Sequence, residues 1–117
     1  MEASKKDGLE LLQEIAEKQL LSELVMQLNK DARLAGTDLS LPETAPPRVI
    51  AQELYKFLQG LIRKDFDAYV NFLYRADIPE SSAGWSENAD ADTALREITL
   101  RILQREWQKV WFRNRNR

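Results

Sequence analysis

The sequence predicts an all-α fold, a compact four-helix bundle with a fifth helix as the open alternative. Three observations predict it. Apolar residues recur at helical spacing in four stretches, almost no two-residue alternation of the strand type occurs, and 117 residues suit a single hydrophobic core. With 44% apolar and 31% charged residues, the chain has enough apolar surface to build that core and enough charge to stay dissolved. The expected organisation is one helical domain over 1–112 followed by a basic, frayed tail over 113–117.

The first periodic stretch runs from about Asp7 to Ala35, with Gly36 placed to close it as a C′ residue. At 100° per residue, Leu9, Leu12, Ile15 and Ala16 share one face, while Leu20, Leu21, Leu24, Val25 and Leu28 share a nearly opposite one. The stripe jumps near Lys18 with no Gly or Pro to explain it. Either the helix breaks around Glu17–Gln19 or one helix carries two halves that pack on different surroundings. The unbroken helix is preferred, with both halves serving one core.

The text GTDLSLPETAPP over 36–47 is a crossover loop marked by Gly36, Asp38, Pro42 and the Pro46–Pro47 pair, with Leu39 and Leu41 able to pin it to the bundle. The second stretch starts at Pro46 or Pro47, where the missing proline N–H is harmless, with Thr44 as the candidate cap. Its seam is Ile50, Leu54, Phe57, Leu58 and Leu61. Gly60 sits inside that pattern, and close approach of a neighbouring helix is the expected reason, with an early end to the helix as the alternative. A third helix follows over Asp65–Arg75, with Asp65 as N-cap and Phe66, Tyr69, Val70 and Leu73 facing inward. Pro79 ends it, and Arg75 and Asp77 are placed to tie its end to the turn. Residues 80–90 form a polar loop in which Trp85 is expected to fold back onto the core. The last helix starts near Asp90 or Asp92 and runs to about Phe112, with Leu100, Leu103, Trp107, Val110 and Trp111 on one broad side and Leu95, Ile98 and Ile102 on an adjacent one.

Composition removes several kinds of chemistry. The chain has no Cys and no His, so disulfides, thiolate nucleophiles, Ser-His-Asp triads and Cys/His zinc sites are excluded. Carboxylates, Lys, Tyr, Ser and Thr remain, and a carboxylate-held magnesium ion is chemically open. No motif points to one: the cluster Asp65, Asp67, Asp77 and Glu80 lacks the spacing of a calcium loop, and capping and surface ion pairing account for it. The expectation is a non-catalytic protein with no cofactor, metal or small-molecule ligand. No apolar run reaches the length of about 20 residues that spans a bilayer, and the first residues lack an apolar signal core, so the chain is read as cytoplasmic.

Charge changes sign along the chain. Residues 1–94 carry a net −7 and residues 95–117 a net +5, within a total of −2. Arg101, Arg105 and Lys109 follow one another at four-residue spacing and continue to Arg113, forming a basic ridge. The ridge has three explanations: cations that face the acidic helices of the same fold, a protein partner or self-association through acidic residues such as Glu10, Glu14 and Glu17, or nucleic acid. An isoelectric point near 5.2 argues against the third. The candidate partner-binding residues are Arg101, Arg105, Lys109, Trp111, Phe112 and Arg113, and the function expected of them is that of an adaptor or regulatory domain, with nucleic-acid binding as the alternative.

The run DFDAYVNFLYRADIPE over 65–80, with Leu73-Tyr74-Arg75 followed by Asp77 as its most specific portion, and the earlier QLNKD over 27–31, resemble a family of small, uncharacterised all-helical bacterial proteins. The resemblance implies a compact helical domain and brings no activity, cofactor or site residue with it.

Overall fold

The computed structural model describes residues 7–78 and 90–115, and it is all-helical. Five helices are present among the described residues: α1 (Gly8–Glu17), α2 (Leu21–Leu34), α3 (Pro47–Lys64), α4 (Phe66–Arg75) and α5 (Ala91–Arg115). None of them is long and apolar enough to cross a membrane.

Local chemistry sets most of the boundaries. Asp7 opens α1 through a capping box, its carboxylate accepting from Glu10 N–H at 2.8 Å while the Glu10 side chain accepts from Asp7 N–H at 3.1 Å. Asp65 caps α4 by accepting from Ala68 N–H at 3.1 Å, and Asp90 accepts from Thr93 N–H at 2.7 Å at the start of α5. Pro47 occupies the first position of α3. Thr44 does not cap it: the cap residue is Pro46, and no side chain bonds the first turn. Proline at the first helical position already removes one of the N–H groups a cap would have satisfied.

Three helices end in the same way. At the close of α2, Gly36 N–H donates to Arg33 C=O and Thr37 N–H to Ala32 C=O, the two bonds of a Schellman motif, with Gly36 at φ +87°. The same pair of bonds closes α1 at Gln19 (φ 61°) and α4 at Asp77 (φ 68°). The first periodic stretch is therefore broken, which corrects the preferred reading of one continuous helix. The jump near Lys18 is a left-handed Gln19, and no glycine marks it because a single non-glycine residue tolerates that conformation at a cost of about 1–2 kcal/mol. The break re-aims the chain, so that α1 buries Leu11, Leu12 and Ile15 and α2 buries Leu24, Val25, Leu28 and Ala32 in one shared core.

The core is completed by Ile50, Leu54 and Leu58 of α3, Tyr69, Phe72 and Leu73 of α4, and Leu95, Ile98, Ile102, Leu103 and Val110 of α5. Helix α5 packs against α1, α2 and α3, and α4 lies against α2 and α3. Phe66 is not an inner residue of α4; it is 54% exposed. It has the right helical phase but stands at the first position, beyond the edge of the core, leaning on Tyr69 at 5.6 Å between ring centroids. Phe72 takes the inner place and meets Phe57 edge-on at 6.2 Å. The crossover loop is held as its leucines predict, with Leu41 buried and Leu39 packed on the core. Asn29 of α2 clamps it, its amide donating to Leu41 C=O at 3.0 Å and accepting from Leu41 N–H at 2.8 Å.

Gly60 corrects a second expectation. Nothing lies within 4 Å of the place its Cβ would take, and α3 runs on to Lys64, so no neighbouring helix requires a glycine there. Gly60→Ala is expected to stabilise the fold by up to about 1 kcal/mol, which corresponds to a rise of about 4 °C in Tm. A calorimetric scan showing a lower Tm would mean that the space is not open.

Candidate functional site

The basic ridge lies on α5, so the site is built outward from that helix. Leu95, Thr99, Ile102, Glu106 and Val110 follow at steps of four, three, four and four residues, which puts them on one stripe of a 3.6-residue helix. All five are buried, and Glu106 is fully buried near the middle of the stripe. Thr99 satisfies its hydroxyl by donating to Leu95 C=O at 2.7 Å. Glu106 has no such local partner.

A second acid comes to meet it from α2. Leu24, Leu28, Asp31 and Ala35 form a matching stripe, and Asp31 is only 5% exposed. The Asp31 and Glu106 carboxyls lie within hydrogen-bonding reach of each other. Lys109, one turn after Glu106, folds over the pair: its ammonium donates to Asp31 Oδ2 at 2.6 Å and to the Arg75 C=O at the end of α4 at 2.8 Å, and it approaches Glu106 Oε2 to 3.0 Å. Gln27 Nε2 adds a bond to Asp31 at 3.2 Å. Both Glu106 oxygens are buried without a hydrogen bond of regular geometry, the Lys109 approach being an ion contact at a poor angle.

Electrostatics divides the two acids. Burial first, and then the neighbouring Asp31, push Glu106 up to about 9 from an ordinary 4.5. Burial also lifts Asp31, but hydrogen bonds from Glu106, Lys109 and Gln27 outweigh it and hold that carboxyl below its ordinary value. Lys109 is pulled down by burial and raised on balance by the two acids. These shifts favour, at neutral pH, an ionised Asp31, an ionised Lys109 and a neutral Glu106: two buried acids and a part-buried ammonium with zero net charge.

The remaining ridge residues are also engaged within the fold. Arg101 approaches Glu97 at 3.8 Å, Arg105 bonds Asp77 at 2.6 Å and Gln108 at 3.1 Å, and Arg113 bonds Gln27 at 2.9 Å with Glu23 at 4.0 Å. Asp77 thus pairs across to α5 rather than with Arg75, whose contribution is its backbone carbonyl. The reason is the left-handed turn at Asp77, which carries its side chain away from α4. A shallow depression of about 320 Å³ lies beside this pair, lined by Asp77, Ile78, Arg101, Gln104 and Arg105.

Trp111 and Phe112 stand apart from this network. They are 41% and 55% exposed. Trp111 leans on the half-buried Trp107 at 5.7 Å, the Lys18 ammonium sits 5.9 Å over its ring, and the Arg115 guanidinium sits 5.9 Å over Phe112. Helix α5 continues through Arg115, so Arg113, Asn114 and Arg115 are helical. Of the acids named as counterparts for the ridge, Glu10 caps α1, Glu17 is exposed and Glu14 is half-buried. Pro79, Trp85, the polar loop over 80–89 and Arg117 lie outside the described residues. Among the described residues no three acidic side chains converge as a cation would require; Asp65 is a cap, Asp67 is exposed and Asp77 is paired.

Sequence reasoning marked Lys109 but missed Asp31, Glu106 and Asn29. One signal was present: the apolar stripes of α2 and α5 run straight through positions 31 and 106, so an acid interrupts each seam where a leucine would continue it. The chain matches no family model, no curated protein and no solved structure.

Proposed function

We propose that this chain is a non-catalytic protein-interaction domain, an adaptor or regulatory subunit that engages a protein partner through the C-terminal end of α5. The observation that carries this reading is a pair of consecutive large aromatics, Trp111 and Phe112, exposed at 41% and 55% at the end of a helix whose basic ridge is engaged within the fold. Exposed aromatics flanked by cations are the residue types that dominate binding energy at protein interfaces. Lys18 and Arg115 supply those cations at this end of the molecule. The ion pairs made by Arg101, Arg105, Lys109 and Arg113 favour a protein over nucleic acid as partner, because phosphate contacts would have to break them. The same reading takes the bacterial cytoplasm as its setting.

The double substitution Trp111→Ala, Phe112→Ala tests the surface, since neither ring belongs to the buried core. Affinity purification with the intact chain is expected to recover a stoichiometric protein partner, and the variant to recover at least about tenfold less, with an unchanged circular-dichroism spectrum. Equal recovery by both chains would remove this surface from consideration. A nuclease-sensitive species in place of a protein would transfer the site to nucleic acid.

A further inference from the structure

The Asp31–Glu106–Lys109 cluster joins three helices with side chains the core would otherwise fill with leucine. Asp31 comes from α2, Glu106 and Lys109 from α5, and the third attachment is the Arg75 carbonyl at the end of α4. Ionised, Glu106 would be a fully buried anion beside a second anion, with neither oxygen accepting a well-directed hydrogen bond. Protonated, it becomes a donor, and the acceptor within reach is the Asp31 carboxylate. The geometry therefore makes sense only with one proton held between the two carboxyls, balanced by the single positive charge of Lys109.

We propose that Asp31, Glu106 and Lys109 form a proton-holding latch on the α2–α5 seam: the closed seam retains one proton between the two acids, and opening the seam releases it to water. Opening frees the second half of α5, so the latch sets how readily that half separates from α2 and from the end of α4, and rising pH favours separation. The charges that act on Glu106 are Asp31 from α2 and Lys109 from its own helix. Gln27 of α2 is neutral, and Arg113 reaches the cluster only through it. On the α4 side, Asp77 is neutralised by Arg105, and the buried Tyr69 hydroxyl, pushed up to about 12 by burial, stays neutral throughout. Helix α1 contributes Glu14, the other acid with a buried oxygen, and α3 turns Ile50, Leu54 and Leu58 inward.

The sign follows from linkage. A carboxyl raised from 4.5 to about 9 in the closed state stabilises that state fully below 4.5, and the contribution is lost as pH rises toward about 9. Carboxyl-carbon NMR of the intact chain is expected to show Glu106 unionised at neutral pH and titrating near 9. Amide-exchange protection over 102–110 is expected to fall about tenfold per pH unit between those limits, after correction for intrinsic exchange. In Glu106→Gln, whose amide still donates to Asp31, protection should be flat across that range. Glu14→Gln should keep the slope of the parent. A Glu106 resonance titrating near 4.5 in the folded chain would overturn the latch, as would an unchanged slope in Glu106→Gln or a slope abolished by Glu14→Gln instead. Should Glu106→Gln not fold, the carboxyl titration of the parent decides alone.

Discussion

Lys109→Met is expected to destabilise the fold by about 3–5 kcal/mol at neutral pH. Among the described residues the ammonium is the one cation at the buried acid pair, and it also satisfies the Arg75 carbonyl. Methionine keeps the length and the apolar stem, so the loss isolates charge from packing. Without the cation, Asp31 has only Gln27 as a donor besides the neutral Glu106. Burial, the influence that raises Asp31 in the parent, then goes unopposed by Lys109. The size of the loss should therefore depend on pH. In the parent, Asp31 is held below 3.8 and its contribution is present above that value and lost on acidification through the lowered one. In the variant the lowering by Lys109 is gone while that by Glu106 and Gln27 remains, so Asp31 lies higher than in the parent and takes up its proton earlier as pH falls. Urea denaturation at about pH 4 and about pH 7 measures this directly: the gap between parent and variant should shrink at the lower pH. A gap equally wide at both, or no gap at pH 7, would show that Lys109 is not holding a buried charge.

Asn29→Ala is expected to cost about 2–3 kcal/mol, more than a half-buried amide on a helix would ordinarily carry. Its side chain is the partner of both the N–H and the C=O of Leu41, at 2.8 and 3.0 Å, and Leu41 itself is 4% exposed. Alanine leaves two backbone groups without a partner inside the protein, and each such group carries a desolvation penalty of about 1–3 kcal/mol, partly relieved where water can reach it. Asn29→Asp should fail as well, because a carboxylate can still accept from the Leu41 N–H but is repelled by the Leu41 carbonyl. Chemical denaturation of the two variants, with exchange of the Leu41 amide as the local probe, tests the clamp. Parent-like protection of that amide in Asn29→Ala would show that the leucine side chain alone holds the crossover loop.

Both predictions concern contacts that local sequence patterns pass over. A glutamate or lysine on a long charged helix has the same signature whether it meets water or another helix. Periodicity reports the phase of a side chain around its own axis and nothing about what stands opposite. Glu106 and Asp31 could have been noticed as acids standing on apolar stripes, but not as partners, since the Lys109–Asp31 bond joins residues 78 positions apart. Gly60 illustrates the converse. Its place inside the α3 pattern implied a close neighbour, and the packing left open space there instead.

Most of the short-range physics was legible, the break at Gln19 and the cap of α3 being the exceptions. The helical repeats, the Asp65 cap, the start at Pro47, the stop at Gly36 and the anchoring of the crossover loop by Leu39 and Leu41 all depend on residues within one or two turns of each other, where covalent geometry restricts the choices. The absence of Cys and His also restricts the chemistry in any fold. The use made of the basic ridge was decided at longer range. Arg105, Lys109 and Arg113 became internal ties because α2 and the end of α4 bring Asp77, Asp31 and Gln27 against them, while Trp111 and Phe112 were left outside. Burial and ion pairing are properties of three helices meeting, and each helix taken alone contains only its own third of that arrangement.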